Sequence, residues 1–287
     1  MAREEQAGRT AAGAPRRREA PDPILEVRGL EARYGSRRVL EDVTLQVRRG
    51  EVMVILGTSG CGKSTLLKSI IRLLRPTAGQ VLLLGHDMTA LEEEELEHVL
   101  RNVGVTYQHG ALLNSLTAGE NVALPLEMHT DISPALRRRI AEVKLEQVGL
   151  AGAHDRYPRE LSGGMQKRVA VARAIVMDPE IIFCDEPSAG LDPVTSEGLD
   201  RLLRTLNETL GMTVVVVTHE LSSIRRIADR VTYLERGRVL FTGTVPEAEG
   251  SGIPEVERFF AAGAGGGVGA GARGGARHGA TDEDGGR

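Results

Sequence analysis

The residues Gly57-Thr58-Ser59-Gly60-Cys61-Gly62-Lys63-Ser64-Thr65 carry the spacing G-x-x-x-x-G-K-[ST], and their types suit one task, the cradling of a phosphate chain. Gly57, Gly60 and Gly62 let successive backbone N–H groups turn inward, which makes a concave nest of donors. Lys63 supplies a cation to bridge the outer phosphates, and the Ser64 hydroxyl is a hard oxygen suited to magnesium. Far downstream, the apolar run Ile181-Ile182-Phe183-Cys184 ends in the carboxylates Asp185 and Glu186. Beside a phosphate loop, Asp185 would complete the magnesium shell and Glu186 would stand where the attacking water is activated. His219 closes a third apolar run, Val214 to Thr218, and from there would bond a terminal phosphate and hold Glu186 in register.

These side chains act together only if the chain delivers them to one place. Val52 to Leu56 reads as a strand that runs through the glycine loop into a helix beginning near Lys63, whose N-terminus adds partial positive charge. That helix carries Leu66, Leu67, Ile70, Ile71 and Leu74 at helical spacing, with Pro76 as its stop. Upstream, Ile24 to Val47 gives two antiparallel strands around Tyr34-Gly35. Downstream, Val81 to Leu84 reads as a strand, Thr89 with Glu92 as a capping box for a helix through Leu100, and Val103 to Tyr107 as a strand with Gln108 at its end.

Between about Leu112 and Met177 strand signals lapse and helix starts recur, at Thr117 with Glu120, at Ser133 before Pro134, and at Ser162 before Gly163-Gly164. This stretch reads as an inserted helical lobe. Alternation then resumes with the strand Ile181 to Cys184, a helix from Asp192-Pro193, the strand Thr213 to Thr218, a helix from Glu220 and a hairpin around Glu235-Arg236-Gly237. Val and Ile runs alternating with helices predict an α/β fold whose mostly parallel sheet is covered on both faces. No internal repeat is visible.

The length of 287 residues and an apolar fraction of 41% suit one large domain with a substantial core. A net charge of −4 with interspersed signs, and 3% aromatics with no Trp, argue against nucleic-acid binding, since neither a basic groove nor stacking platforms result. Cys61 and Cys184 both fall inside the motifs, so no disulfide framework is expected and a reducing compartment fits. Apolar runs such as Val81 to Leu84 are far short of the roughly 18 residues of a membrane span. The organisation expected is a disordered tail over 1–22, an ATPase unit over 23–246 with its lobe at 112–177, a helical extension over 247–262 and a disordered Gly/Ala-rich tail over 263–287. No apolar segment follows Arg16-Arg17-Arg18 as a signal peptide requires. Glu92 to Glu95 and Arg137 to Arg139 read as solvated helix faces.

With Leu161-Ser162-Gly163-Gly164 and Ser188-Ala189-Gly190-Leu191-Asp192 added, residues 24–244 closely resemble the ATP-binding-cassette ATPases. The resemblance implies a P-loop NTPase (RecA-like) core with an antiparallel β flank and an inserted α-helical subdomain, and ATP and Mg2+ as ligands. It implies catalytic parts for Glu186, His219, Gln108 and Lys63. Nucleotide contacts would come from Tyr34, stacked on adenine, from Gly57, Thr58, Ser59, Gly60, Cys61, Gly62, Lys63, Ser64 and Thr65, and from Ser162, Gly163 and Gly164. Magnesium ligands would be Ser64, Gln108 and Asp185. It further implies a head-to-tail homodimer in which Ser162, Gly163 and Gly164 close over the partner's ATP. Ser162 precedes a helix, so its hydroxyl and the N–H groups after it make an anion-binding terminus. Met165 departs from the family, which most often has Gln there.

Within the family, Gly119 to Leu126, Leu161 to Ala170, Asp192 to Ser196 and Pro254 to Phe260 resemble the ATPases of Mla/Mce phospholipid transport. That resemblance implies an integral permease docked near Gln108 to Leu126, accessory and Mce-type substrate-binding subunits, and a peripheral location on the cytoplasmic face of the cell membrane. Amino-acid importer ATPases share several of these segments. A soluble cassette ATPase of DNA or ribosomes would carry a coiled-coil insertion or a second cassette, and neither is visible. A regulatory module without hydrolysis conflicts with Glu186 and His219.

Overall fold

The structure is a computed structural model that describes residues 23–108 and 110–262. Both expected tails, 1–22 and 263–287, lie outside the described residues. In chain order the elements are β1 (Pro23–Tyr34), β2 (Arg37–Arg48), β3 (Val52–Gly57), α1 (Lys63–Ile70), β4 (Ala78–Leu83), β5 (His86–Asp87), α2 (Glu93–Leu100) and β6 (Val103–Thr106). Three helices follow, α3 (Ala118–His129), α4 (Pro134–Gln147) and α5 (Gly163–Ala174). Then come β7 (Ile181–Asp185), α6 (Pro193–Leu210), β8 (Thr213–Val217), α7 (Leu221–Ile227), β9 (Arg230–Glu235), β10 (Arg238–Gly243), α8 (Val245–Glu249) and α9 (Pro254–Ala262).

The central sheet has the order β10-β9-β3-β8-β7-β6, parallel throughout except for the edge hairpin of β9 and β10. Because side chains alternate along a strand, each apolar run feeds two cores. Val52, Val54, Leu56, Ile182, Val214 and Val216 join the cluster shared with the helical stretch. Met53, Ile55, Phe183, Val215 and Val217 join the opposite cluster with α1 and the flanking strands. The flank is a separate antiparallel sheet, β2-β1-β4-β5. The expected α/β architecture with an antiparallel flank is therefore the one observed.

Helix starts follow the residues predicted to cap them in the middle stretch. Thr117 Oγ1 accepts from the Glu120 N–H at 3.2 Å, Ser133 from Leu136 at 3.4 Å, and Ser162 from Met165 at 3.3 Å. Three local expectations are corrected. The capping box of α2 pairs Glu92 with Glu95, because the Thr89 hydroxyl is already committed to Asp87 at 2.5 Å. Helix α1 stops at Ile70, well before Pro76, because Arg72 turns left-handed at φ 60° and donates from its guanidinium to the Met88 and Leu91 carbonyls. Strand β6 ends at Thr106, one residue short of Tyr107.

Gly104 of β6 allows α5 to lie close on the sheet, since a Cβ there would come within 2.5 Å of the Ala174 carbonyl oxygen. The substitution Gly104→Ala should cost about 1–3 kcal/mol by overpacking. Calorimetry should show this as a melting temperature lower by about 2–12 °C.

Candidate functional site

The loop between β3 and α1 is fixed by close backbone approach. Gly57 has φ 147° and a Cβ on it would sit 2.0 Å from the Leu234 carbonyl oxygen, while at Gly62, φ 113°, a Cβ would meet Leu40 at 2.8 Å. An L side chain fits at neither position, so only glycine lets the loop lie this close to Leu234 and Leu40. Lys63 is 8% exposed and its ammonium donates to the carbonyls of Gly57 at 2.8 Å and Thr58 at 3.1 Å, so the cation lies across the loop. The Thr58 hydroxyl donates to Glu235 at 3.0 Å and anchors the loop to the end of β9.

Register brings the carboxylates to the same edge. In the parallel ladder Ile55 pairs with Val217, and Val217 with Asp185, so β3, β8 and β7 end side by side. The Ser64 hydroxyl donates to Asp185 Oδ1 at 3.3 Å. Burial pushes the Asp185 carboxyl above its ordinary range, with the Ser64 hydrogen bond opposing and the Glu186 charge adding to the rise. A hydroxyl and a desolvated carboxylate at this separation are the hard oxygen donors magnesium takes, and the N–H nest with Lys63 fits the phosphates it accompanies.

Glu186 is a non-glycine residue at φ 46°, held by its N–H bond to the Val217 carbonyl at 2.8 Å. Its Oε1 lies 2.8 Å from His219 Nδ1, whereas Oε2 is buried with no hydrogen-bond partner among the described residues. The His219 side chain is 62% exposed and Glu186 14%. Both line a cavity of about 610 Å³ together with the glycine loop, Lys63, Ser64 and Gln108. A carboxylate oxygen left free beside a phosphate cradle can accept a proton from a bound water.

Not every expected residue reaches this cavity. Tyr34 does not line it; the residue is 48% exposed at the end of β1, opposite Arg37 across the turn. Ser162 and Gly163 are exposed at the N-terminus of α5, away from the cavity of their own chain, and Cys61 is buried behind the loop. Gln108 follows β6, and its backbone carbonyl accepts from the Lys167 ammonium of α5. Arg173 of the same helix donates to the carbonyls of Gly110 at 2.6 Å and Ala111 at 2.8 Å.

Sequence reading missed four participants. Phe259 of α9 lines the cavity and packs edge-on against Tyr233, with ring centroids 5.6 Å apart. Lys167 and Arg173 carried no signal beyond helical basic residues, and Glu220 stood only as a helix start. A second groove of about 750 Å³ lies between α2 and β6 on one side and Pro125, His129 and Arg173 on the other. It shares no residue with the phosphate-loop cavity.

The ABC transporter family model matches residues 40–189. The probable ribonucleotide transport ATP-binding protein mkl of Mycobacterium leprae is 42% identical over 235 residues, covering 82% of this chain and 68% of that protein. The methionine import ATP-binding protein MetN of Carboxydothermus hydrogenoformans is 43% identical over 227 residues, covering 78% and 67%. The dimeric post-hydrolysis structure of the ATP-binding cassette MJ0796 with ADP and Pi superposes with TM-score 0.71 at 36% identity, covering 77% of this chain and 99% of that one. CbiO1 of Clostridium perfringens, part of the ABC transporter complex cbiONQ, gives 0.73 at 29% identity, covering 83% and 94%. With its phosphate loop, paired carboxylates and matching relatives, the chain belongs to the ABC transporter family as an ATP-binding, magnesium-dependent ATPase.

Proposed function

We propose that Glu186 and His219 hydrolyse ATP at the interface of a head-to-tail homodimer, and that the cycle drives a membrane permease of the Mla/Mce phospholipid type. The observation that carries the hydrolytic part is that Glu186 lines the phosphate-loop cavity with one oxygen engaged by His219 and the other, Oε2, without a hydrogen-bond partner among the described residues. In this reading Glu186 accepts a proton from the attacking water as its oxygen bonds to the terminal phosphorus. The bond to the bridging oxygen breaks, leaving ADP and inorganic phosphate. Lys63 and the loop N–H groups stabilise the charge that develops. Ser64, Asp185 and Gln108 would hold Mg2+, which supplies Lewis-acid polarisation of the phosphate oxygens. His219 keeps the Glu186 carboxylate from rotating away.

The dimer reading is supported by the exposed Ser162-Gly163 terminus and by Val194, 80% exposed at the start of α6. A helix N-terminus and an exposed aliphatic suit a surface that meets a second copy's nucleotide. The helical stretch 112–177 is proposed as a subdomain, and the groove between α2 and α3, with Glu93, Glu94 and Glu97 on its rim, as the permease dock. That lies beside the segment Gln108 to Leu126 named from the sequence. Among the described residues no helix is long and apolar enough to cross a membrane, so transport requires such a partner. Tyr34 is proposed to turn over the adenine only once nucleotide is bound. The phospholipid assignment rests on the segments quoted above. The similarity to MetN favours a second reading, an amino-acid-type importer ATPase.

Glu186→Gln should lower kcat by about 10²–10⁴-fold while ATP-induced dimers persist in light scattering. Normal turnover without a trapped dimer would refute the base role. Gly62→Ala should weaken binding of a fluorescent ATP analogue by about tenfold or more, through backbone strain in the loop, with an unchanged circular dichroism spectrum. Purification with the native membrane partner should yield a permease with bound phospholipid; an importer-type permease retaining an amino acid would replace the cargo assignment and leave the chemistry.

A further inference from the structure

Glu220 directly follows His219 and occupies the N-cap position of α7, yet its side chain does not cap that helix. Its N–H donates to Thr218 Oγ1 at 3.1 Å. Oε2 accepts instead from the Ser188 hydroxyl at 3.1 Å and the Ser196 hydroxyl at 3.4 Å. Ser188 is 1% exposed and Ser196 7%, so both hydroxyls must find partners within the protein. Lys167 of α5 lies within electrostatic reach of both Glu186 and Glu220, while Arg226 is engaged with Asp200.

Ser188 begins the segment Ser188-Ala189-Gly190-Leu191-Asp192, which leaves the active-site strand directly after Glu186 and Pro187. The segment is held at its start by the Ala189 N–H bond to the Glu186 carbonyl at 3.2 Å. At its end Asp192 accepts from the N–H groups of Val194 and Thr195, each at 3.0 Å, as the N-cap of α6. Glu220 is the side chain that ties this segment, and the first turn of α6, to the strand end bearing His219.

We propose that Glu220 is a positioning residue that makes segment 188–192, which leads into the exposed Val194 end of α6 proposed above to meet a second copy, and His219 move as one body. Contact by a second copy on that segment is thereby relayed to the Glu186–His219 pair. The proposal rests on the dimer reading above. It names the link by which dimer closure sets the hydrolytic geometry, and the chemistry of that link is a carboxylate shared by two buried serine hydroxyls. Removal of the carboxylate leaves both hydroxyls without an acceptor and frees the segment from the strand end.

The test compares Glu220→Ala with Glu220→Gln, whose amide oxygen can still accept from both serines. Expected for Glu220→Ala is a fall in kcat of about tenfold with the affinity of the undimerised protein for a fluorescent ATP analogue within about twofold, since the phosphate loop is untouched. In a Glu186→Gln background the ATP concentration for half-maximal dimerisation should rise about fivefold or more. Glu220→Gln should restore both. Unchanged kcat and dimerisation in a folded Glu220→Ala protein overturn the proposal, as does a loss that Glu220→Gln fails to rescue. If Glu186→Gln with native Glu220 forms no ATP-dependent dimer, both readings fall; if dimers form equally well with Glu220→Ala, only this one does.

Discussion

The parallel registration of β3, β8 and β7 is the constraint on which the site depends. Each strand ends in chemistry, in the glycine loop after Gly57, in His219 after Thr218, and in Asp185 and Glu186. The pairings Ile55 with Val217 and Val217 with Asp185 put those ends level. A slip of one residue would exchange the two faces of each strand and separate the Ser64 hydroxyl from Asp185. The period-2 burial of Val214 to Val217, alternately into the two hydrophobic clusters, resists that slip. The hydrophobic cores on the two faces therefore maintain the active-site register.

On this frame the local structure concentrates strain and charge. Gly57 and Gly62 occupy backbone conformations closed to other residues, and Glu186 adopts a left-handed conformation without the freedom of glycine. Lys63 is nearly buried and satisfied by loop carbonyls, while burial raises the proton affinity of Asp185. Both groups are arranged as partners for charges that a nucleotide with its metal brings. The site is electrostatically preorganised in the sense that the cost of desolvation is met by folding.

Helix α5 has contacts at both ends of the problem. Its N-terminus is exposed at Ser162 and Gly163, and two of its cations, Lys167 and Arg173, hold the backbone that follows β6 through the carbonyls of Gln108, Gly110 and Ala111. Arg173 also lines the groove beside α2. One rigid element thus touches the segment carrying Gln108, the groove proposed for the permease and the surface proposed for the second copy. The helix is seated close against the sheet at Gly104, which ties these three regions to β6.

The amino-acid sequence by itself determined the phosphate loop, the strands that end in Asp185 and His219, the two-faced burial of the sheet and the caps at Thr117, Ser133 and Ser162, because each is encoded by neighbours a few residues apart. It misjudged Thr89, whose hydroxyl an adjacent Asp87 takes, and the end of α1, which Arg72 fixes through carbonyls distant in sequence. Only the tertiary structure decided that Glu186 keeps one oxygen for His219 and one free, that Glu220 serves Ser188 and Ser196, and that Phe259 reaches the cavity while Tyr34 stays outside it. Those facts depend on side chains from separate strands and helices meeting in space. Local pattern fixes which way a residue faces along its own element, and the packing of elements fixes what it meets there.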